Sequence, residues 1–455
     1  MEPTSIAVLG ASKKPESLSA LAIKNLLKFG YQGKLHLVNP SGGELLGMKV
    51  YSDLSEIDDS VDLAMVYLPP MVVVDAIEAC IRKGIRSVIV VSDGLDEPFE
   101  EGKTITEKML EVARRGGVRI MGPNSMGVIN VERKLSTSFA PMEQMTEGGL
   151  SIIAQTGLFI GSALAWLATV QNVGISKSID LANKCDIDEL DSLEYLLEDP
   201  STKVIGMHME EVTDGRRFIE VARRTTLVKP ILAIKPGKTE IGAKAIASHT
   251  GSLAGKDEMY AAAFSQTGII RIYDIEELAD LARAFIHLPP LKGGNIGVVT
   301  YSGGWGALAA DLCHEFGLSM AQLSERTIQK IQDIAPIWRK MTNPVDIWPP
   351  TKVDTPETYR TAIRAVADDE ATDAVLVLAP AIDSPVFDNL DVVREEVARY
   401  KDKPIVTWAV GNIDGMKKAF SLMKENVLIF PTVRRALKAL SALYQYQRYL
   451  SKHQS

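Results

Sequence analysis

The chain has 455 residues, 46% hydrophobic and 24% charged, a composition that fits a soluble globular protein with room for three domains and excludes a disordered or fibrous one. Fifty Lys and Arg against 58 Asp and Glu leave a net charge of −8, which argues against a nucleic-acid partner and leaves anionic ligands to local sites. The longest strongly apolar run, 158–170, is too short for a bilayer and the start Met-Glu-Pro-Thr is not a signal peptide, so the expectation is a cytoplasmic protein with no membrane partner.

Short apolar runs alternate with helical patterns from the beginning: strands at 6–9, 35–38, 63–68, 88–91 and 118–121, and helices at 18–29, 72–82 and 105–114. Strands recurring at about 30-residue intervals with helices between them mark right-handed βαβ units in a parallel sheet. Gly30 falls where a helix C-cap belongs. Residues 131–148, with Pro141 and a Gly-Gly, read as a linker. A second block follows, with strands at 151–154, 175–181, 204–209, 231–234 and 269–272 and helices at 158–169, 189–198, 216–224, 257–267 and 275–286. Residues 288–294, Leu-Pro-Pro-Leu-Lys-Gly-Gly, read as a second linker. The third block has strands at 296–300, 374–378 and 405–408 and helices at 356–367 and 432–450, the first of these announced by Thr355 as N-cap before Pro356 and Glu357. The expected fold class is α/β, three consecutive Rossmann-like or flavodoxin-like parallel-sheet domains at 1–130, 148–288 and 293–455.

The second and third blocks open alike. Ile152-Ile153-Ala154-Gln155-Thr156-Gly157 leads to Ser162-Ala163-Leu164-Ala165, and Val298-Val299-Thr300-Tyr301-Ser302-Gly303-Gly304 leads to Gly306-Ala307-Leu308-Ala309. A strand, a hydroxyl–glycine turn and a helix start point free N–H groups and the positive helix end outward, a small anion site. The first strand ends in Gly10-Ala11-Ser12-Lys13-Lys14, one glycine of the three an NAD site wants, and no acid follows Val38. That favours a phosphate-rich nucleotide other than NAD. The other strand ends, Leu68-Pro69-Pro70, Ser92-Asp93-Gly94 and Gly122-Pro123-Asn124-Ser125, line the same crevice.

Among six histidines, His249 stands apart in Ala247-Ser248-His249-Thr250-Gly251-Ser252-Leu253-Ala254-Gly255, a small, polar, glycine-flanked stretch that reads as a mobile loop presenting a nucleophile or proton carrier. Glu210, closing the strand at 204–209, offers a carboxylate to orient it, with Glu211 as competitor. Nucleophile, carboxylate and two anion-binding turns together describe phosphoryl transfer to histidine. The scattered Cys80, Cys185 and Cys313 form neither a disulfide framework nor a zinc site, and no metal ligands are assigned.

By the 247–255 stretch, together with Gly122-Pro123-Asn124, Gln155-Thr156-Gly157, Leu181-Ala182-Asn183-Lys184, Asp214-Gly215-Arg216-Arg217-Phe218 and Asn343-Pro344-Val345-Asp346, nearly the whole chain resembles the α subunit of the NDP-forming acyl-CoA synthetases. It is most similar to the archaeal-type ADP-forming acetyl-CoA synthetases, relatives of succinyl-CoA synthetase. The resemblance implies coenzyme A on the first domain, with Ser12 and Lys13 at its phosphates and Gly10, Asn39, Pro40, Ser92, Asp93, Gly94 and Asn124 along its path. It implies that His249 is phosphorylated, that Glu210 orients it, and that Thr156-Gly157-Leu158 and Ser302-Gly303-Gly304 hold the phosphate in transit. The implied reaction is acyl-CoA + ADP + phosphate ⇌ carboxylic acid + CoA + ATP, with a small carboxylic acid as substrate. No segment reads as an ATP-grasp domain, so the resemblance implies a partner β subunit that holds Mg2+ and ADP or ATP, in an α2β2 heterotetramer. Ser125-Met126, Glu211, Tyr301 and Trp305 depart from the family's usual residues and leave the acyl group open. A catalytically idle CoA-binding or regulatory homologue is the competing reading, opposed by the joint presence of His249, Glu210 and both turns.

Overall fold

The computed structural model describes the chain apart from residues 100–101, 142–144, 251–254, 337, 349–353, 383, 385–388 and 454–455, and the side chains of 247–250. It divides into two compact units, Met1–Tyr273 and Asp274–Ser455.

In the first unit, β1 (Ser5–Leu9), β2 (Lys34–Val38), β3 (Gly43–Leu45), β4 (Met48–Tyr51), β5 (Leu63–Val66), β6 (Ser87–Val90) and β7 (Arg119–Met121) form a sheet in the order β3-β4-β2-β1-β5-β6-β7. All neighbours are parallel except the β3–β4 hairpin. The sequence reading missed this hairpin. Its strands, Gly-Glu-Leu and Met-Lys-Val-Tyr, are short and lack an apolar run, and pairing of β4 with β2 is what holds them. Helix Leu18–Phe29 starts at Ser17, whose hydroxyl accepts from the Ala20 amide, and stops at Gly30, whose left-handed φ of 90° lets its N–H close on the Leu26 and Leu27 carbonyls. The central strands β1 and β5 are buried along their whole length, as a sheet covered on both faces requires: Ile6, Ala7, Val8, Ala64, Met65 and Val66 are all fully buried.

The second sheet of this unit comprises β8 (Val128–Asn130), β9 (Leu135–Ser136), β10 (Glu147–Ala154), β11 (Ile175–Asp180), β12 (Val204–His208), β13 (Ile231–Ile234) and β14 (Ile270–Ile272), in the order β14-β13-β12-β10-β11-β8-β9. Three expectations change here. The stretch expected as a linker at 131–148 contributes β9, whose antiparallel pairing with β8 completes the sheet edge. The helix expected at 158–169 is broken into a π-helical turn Phe159–Ala163 and a short α-helix Leu164–Thr169, because Gly161 departs from helical geometry at ψ −114°. The loop expected around His249 is helical as far as Thr250: helix Glu240–Thr250 carries three Ala and a Lys, good helix formers, and the Thr239 hydroxyl accepts from the Gly242 amide at its start.

In the second unit, β15 (Asn295–Thr300), β16 (Ser319–Met320), β17 (Val345–Asp346), β18 (Ala374–Ala381), β19 (Ile405–Gly411) and β20 (Ile429–Phe430) run parallel in the order β16-β15-β18-β19-β20, with β17 also on β15. The helix expected at 356–367 spans Thr355–Asp368, and its cap is Asp354 rather than Thr355: the Asp354 carboxylate accepts from the Glu357 amide at 2.8 Å. Helices Glu325–Gln332, Leu390–Arg399 and Ile413–Met423 were not anticipated. Helix Ile275–His287 packs in this unit against the final helix Val433–His453, through the Phe285–Tyr446 ring contact at 5.4 Å and ion pairs of Arg435 with Asp280 and Lys438 with Glu277. Among the described residues no helix is long and apolar enough to cross a membrane.

Candidate active site

In the first sheet the strand order reverses at β1, which lies between β2 and β5, the point at whose carboxyl ends open α/β sheets bind ligands. Gly10, at φ +87°, passes so close to the Tyr67 carbonyl that no Cβ fits. Ser19 donates to the Gly10 carbonyl (2.9 Å) and accepts from the Ser12 amide (3.1 Å), pinning the loop that carries Ser12 and Lys13. The Lys13 ammonium reaches across to the hairpin, 2.8 Å from where a Cβ on Gly43 would stand. Asn39, before Pro40, accepts from the Ser41 amide (3.0 Å) and hydroxyl (2.8 Å). Asp93 and Gly94 are exposed at the end of β6, and Asn124 donates its amide to the Ser92 carbonyl at 3.0 Å. The Ser92 hydroxyl itself is engaged with Leu68, donating to its carbonyl (2.6 Å) and accepting from its amide (3.1 Å), so it ties two strand ends together.

All nine residues singled out in this domain therefore share one sheet edge. On the hairpin the Lys49 ammonium lies 4.3 Å over the Tyr51 ring. An ammonium lodged against a glycine, beside a glycine turn too tight for any side chain, suits a long ligand carrying several phosphates. A cavity of about 230 Å³ lined by Leu63, Ser87 and Arg119 opens at the opposite, amino ends of β5–β7 and takes no part in this edge.

In the second sheet the order reverses at β10, between β11 and β12. Thr156, Gly157 and Leu158 follow β10; a Cβ on Gly157 would collide with the Met126 sulfur, and Leu158 is largely exposed. Glu210, two residues past β12, is 5% exposed, and Glu211 is half-buried. The amides of both point at Gln155 Oε1, at 2.6 and 3.3 Å. Asp180, the last residue of β11, accepts from the Met126 amide at 2.6 Å; burial pushes its carboxyl up to about 7 against the pull of that amide.

Past β13, burial lowers the Lys235 ammonium, which donates to the Pro236 carbonyl (2.7 Å) and lies 4.6 Å over the Tyr260 ring. Glu210 is among the acids that favour its charge. Gly255 also packs on Tyr260, its missing Cβ 3.2 Å from the ring. The backbone of His249 lies in the last turn of helix Glu240–Thr250; its side chain and residues 251–254 lie outside the described residues.

In the second unit, Ser302, Gly303 and Gly304 open the helix Gly303–Glu315, and buried Thr300 shapes the turn by accepting from the Ser302 amide (3.0 Å) and donating to its carbonyl (3.1 Å). A carboxylate oxygen of Asp346 comes within 3.1 Å of the missing Cβ of Gly303 and pairs with Arg339 at 2.6 Å. Trp305 follows the turn, 40% exposed, its ring centre 4.6 Å from that of Trp408. The two hydroxyl–glycine turns thus belong to different units.

Comparison with known proteins assigns the domains that carry these strand ends and turns. Residues 4–131 match a CoA binding domain, 147–285 a succinyl-CoA ligase like flavodoxin domain and 296–453 a ligase-CoA domain. The chain is 40% identical, over 99% of its length and 98% of the relative's, to acetate–CoA ligase (ADP-forming) I subunit alpha of Pyrococcus furiosus. The chain belongs to the ADP-forming acetate–CoA ligase family. A longer member, from Methanocaldococcus jannaschii, is 36% identical over 98% of this chain, which spans 62% of it. Among solved members, the dinucleotide-forming acetyl-coenzyme A synthetase 1 of Candidatus Korarchaeum cryptofilum, in complex with phosphate and ADP, superposes with a TM-score of 0.90 at 33% identity, covering 100% of this chain and 98% of that one.

Proposed function

We propose that this chain is the α subunit of an ADP-forming acyl-CoA synthetase and passes a phosphoryl group through His249. The observation that carries the reading is the end-to-end likeness to a relative named as subunit alpha of such a ligase. Glu210, buried where the second sheet reverses, supports it.

Three domains, expected at 1–130, 148–288 and 293–455, divide the work, with helix Ile275–His287 packed in the compact unit of the third. The first holds coenzyme A along Gly10, Ser12, Lys13, Asn39, Pro40, Ser92, Asp93, Gly94 and Asn124. A phosphate oxygen attacks the thioester carbonyl, the new C–O bond replaces C–S, and acyl phosphate and CoA result. An imidazole nitrogen of His249 then takes the phosphoryl group and the carboxylate leaves. Glu210, by accepting from the other ring nitrogen, keeps the attacking lone pair free and stabilises the positive ring that forms. The amides of Thr156-Gly157-Leu158 and Ser302-Gly303-Gly304 carry the phosphate's charge. The last transfer, to ADP with Mg2+, takes place on an ATP-grasp β subunit in an α2β2 assembly, and the acyl group is that of a small carboxylic acid.

Incubating the chain with inorganic phosphate and a panel of acyl-CoAs should add an acid-labile, base-stable phosphate, absent from His249→Ala although that variant still binds CoA. Equal labelling of His249→Ala, or no label from any acyl-CoA even with a β subunit and ATP present, sinks the reading.

A further inference from the structure

The peptide that carries Glu210 is gripped from two sides. Gln155, 4% exposed, offers one carbonyl oxygen to the amides of both Glu210 and Glu211. Lys184 donates to the Glu211 carbonyl at 2.7 Å. Its ammonium is itself held by Glu189 at 2.9 Å, the two side chains 4% and 2% exposed. The turn bearing Lys184 is fastened in turn to the first sheet's loop, with the Asn183 amide on the Pro123 carbonyl (3.2 Å) and the Cys185 amide on the Gly122 carbonyl (3.0 Å).

The fold does not require this grip, because the third sheet forms without it. Thr300 pairs with Leu378 there as Ala154 pairs with His208 here, so Tyr301 stands in the place of Gln155 and Pro380 in the place of Glu210. A tyrosine has no carbonyl in its side chain and a proline no N–H to donate. The twin hydrogen bond is thus particular to the sheet that carries the buried acid.

We propose that Gln155 and Lys184 are positioning residues for the phosphohistidine step, fixing the 210–211 peptide and with it the direction from which Glu210 meets His249. This rests on the roles given to His249 and Glu210 above. Because Lys184 also belongs to the turn fastened to Gly122-Pro123, it links that peptide to the CoA edge of the first sheet.

The test uses the full chain, 32P-phosphate and acetyl-CoA or whichever acyl-CoA labels the wild type. Gln155→Leu keeps the volume and removes the acceptor; Gln155→Glu keeps an acceptor oxygen at the same reach. In Gln155→Leu, labelling of His249 should slow on the order of 100-fold while phosphate-dependent release of CoA stays within about twofold, the loss expected of a misplaced reacting group. Gln155→Glu should recover labelling even though it buries a charge. Lys184→Met combined with Glu189→Gln, which removes the buried pair as a unit, should slow labelling with the same selectivity. A packing role predicts the opposite order for the two Gln155 variants. Wild-type labelling in Gln155→Leu, or loss of CoA release in step with labelling, overturns the proposal. Failure of the underlying roles looks different: no label on the wild-type chain, or equal label on His249→Ala.

Discussion

Asp180 ties the stability of this fold to pH through a single buried carboxyl. Its carboxyl ordinarily titrates near 3.8 and is raised by burial to about 7 in the folded chain. Between those values the folded state holds a proton that the unfolded state has lost, so stability falls as pH rises through that window and levels off above about 7. One proton changes stability by at most about 1.4 kcal/mol per pH unit. Asn at this position can still accept from Met126 but cannot ionise. Urea unfolding should show Asp180→Asn gaining about 2–3 kcal/mol on the wild type between pH 5 and pH 7.5; a gap that does not change with pH means that Asp180 is already ionised when folded. Sequence reading found Glu210 at its strand end but passed over Asp180. The signal was present: Lys177 and Asp180 sit in a strand buried along its whole length, and such charges need partners, which Lys177 finds in Asp199 at 2.8 Å. Only the fold shows that the partner of Asp180 is a backbone amide.

Between the second and third sheets the resemblance noticed at the two glycine turns extends to whole elements. Lys229-Pro230 and Lys403-Pro404 each precede a strand. The Lys229 ammonium donates to the Leu196 and Asp199 carbonyls (2.6 and 2.5 Å), and that of Lys403 to the Ala367 and Asp369 carbonyls (2.5 and 3.0 Å), each closing the end of a helix left without partners. Most strands and long helices were legible because their apolar periods match the element that forms. The β3–β4 hairpin, the break at Gly161 and the helical backbone at His249 were not, since each depends on what packs beside it. A tighter dependence of the same kind appears at Gly411 and Gly415, where any Cβ would strike the Ala381 carbonyl. Gly411→Ala and Gly415→Ala should each cost about 1–3 kcal/mol in denaturant unfolding, and less than the sum when combined, because both displace the same oxygen. Full additivity would mean that the end of β18 does not move as one piece.

At the scale of the molecule, the prolines and glycines at 288–294 draw the eye to a boundary, yet the compact units part at Tyr273. A linker's composition marks where the chain can bend; which unit owns the helix before it is decided by the face that helix buries. Helix Ile275–His287 has Leu278, Ala279, Leu281 and Ala282 buried, and its acids Asp280 and Glu277 answer Arg435 and Lys438 on the final helix. Amphipathic spacing told of that buried face but could not name its partner. Two fully buried leucines correspond to about 3–6 kcal/mol of apolar burial, and the opposed charges on the final helix would be left without their acids if the helix were removed. A fragment of residues 274–455 should therefore unfold in one cooperative transition, whereas 289–455 should lose most of that stability or aggregate. Matched urea midpoints for the two fragments would show instead that the helix contributes nothing to the second unit and that the boundary lies at the linker.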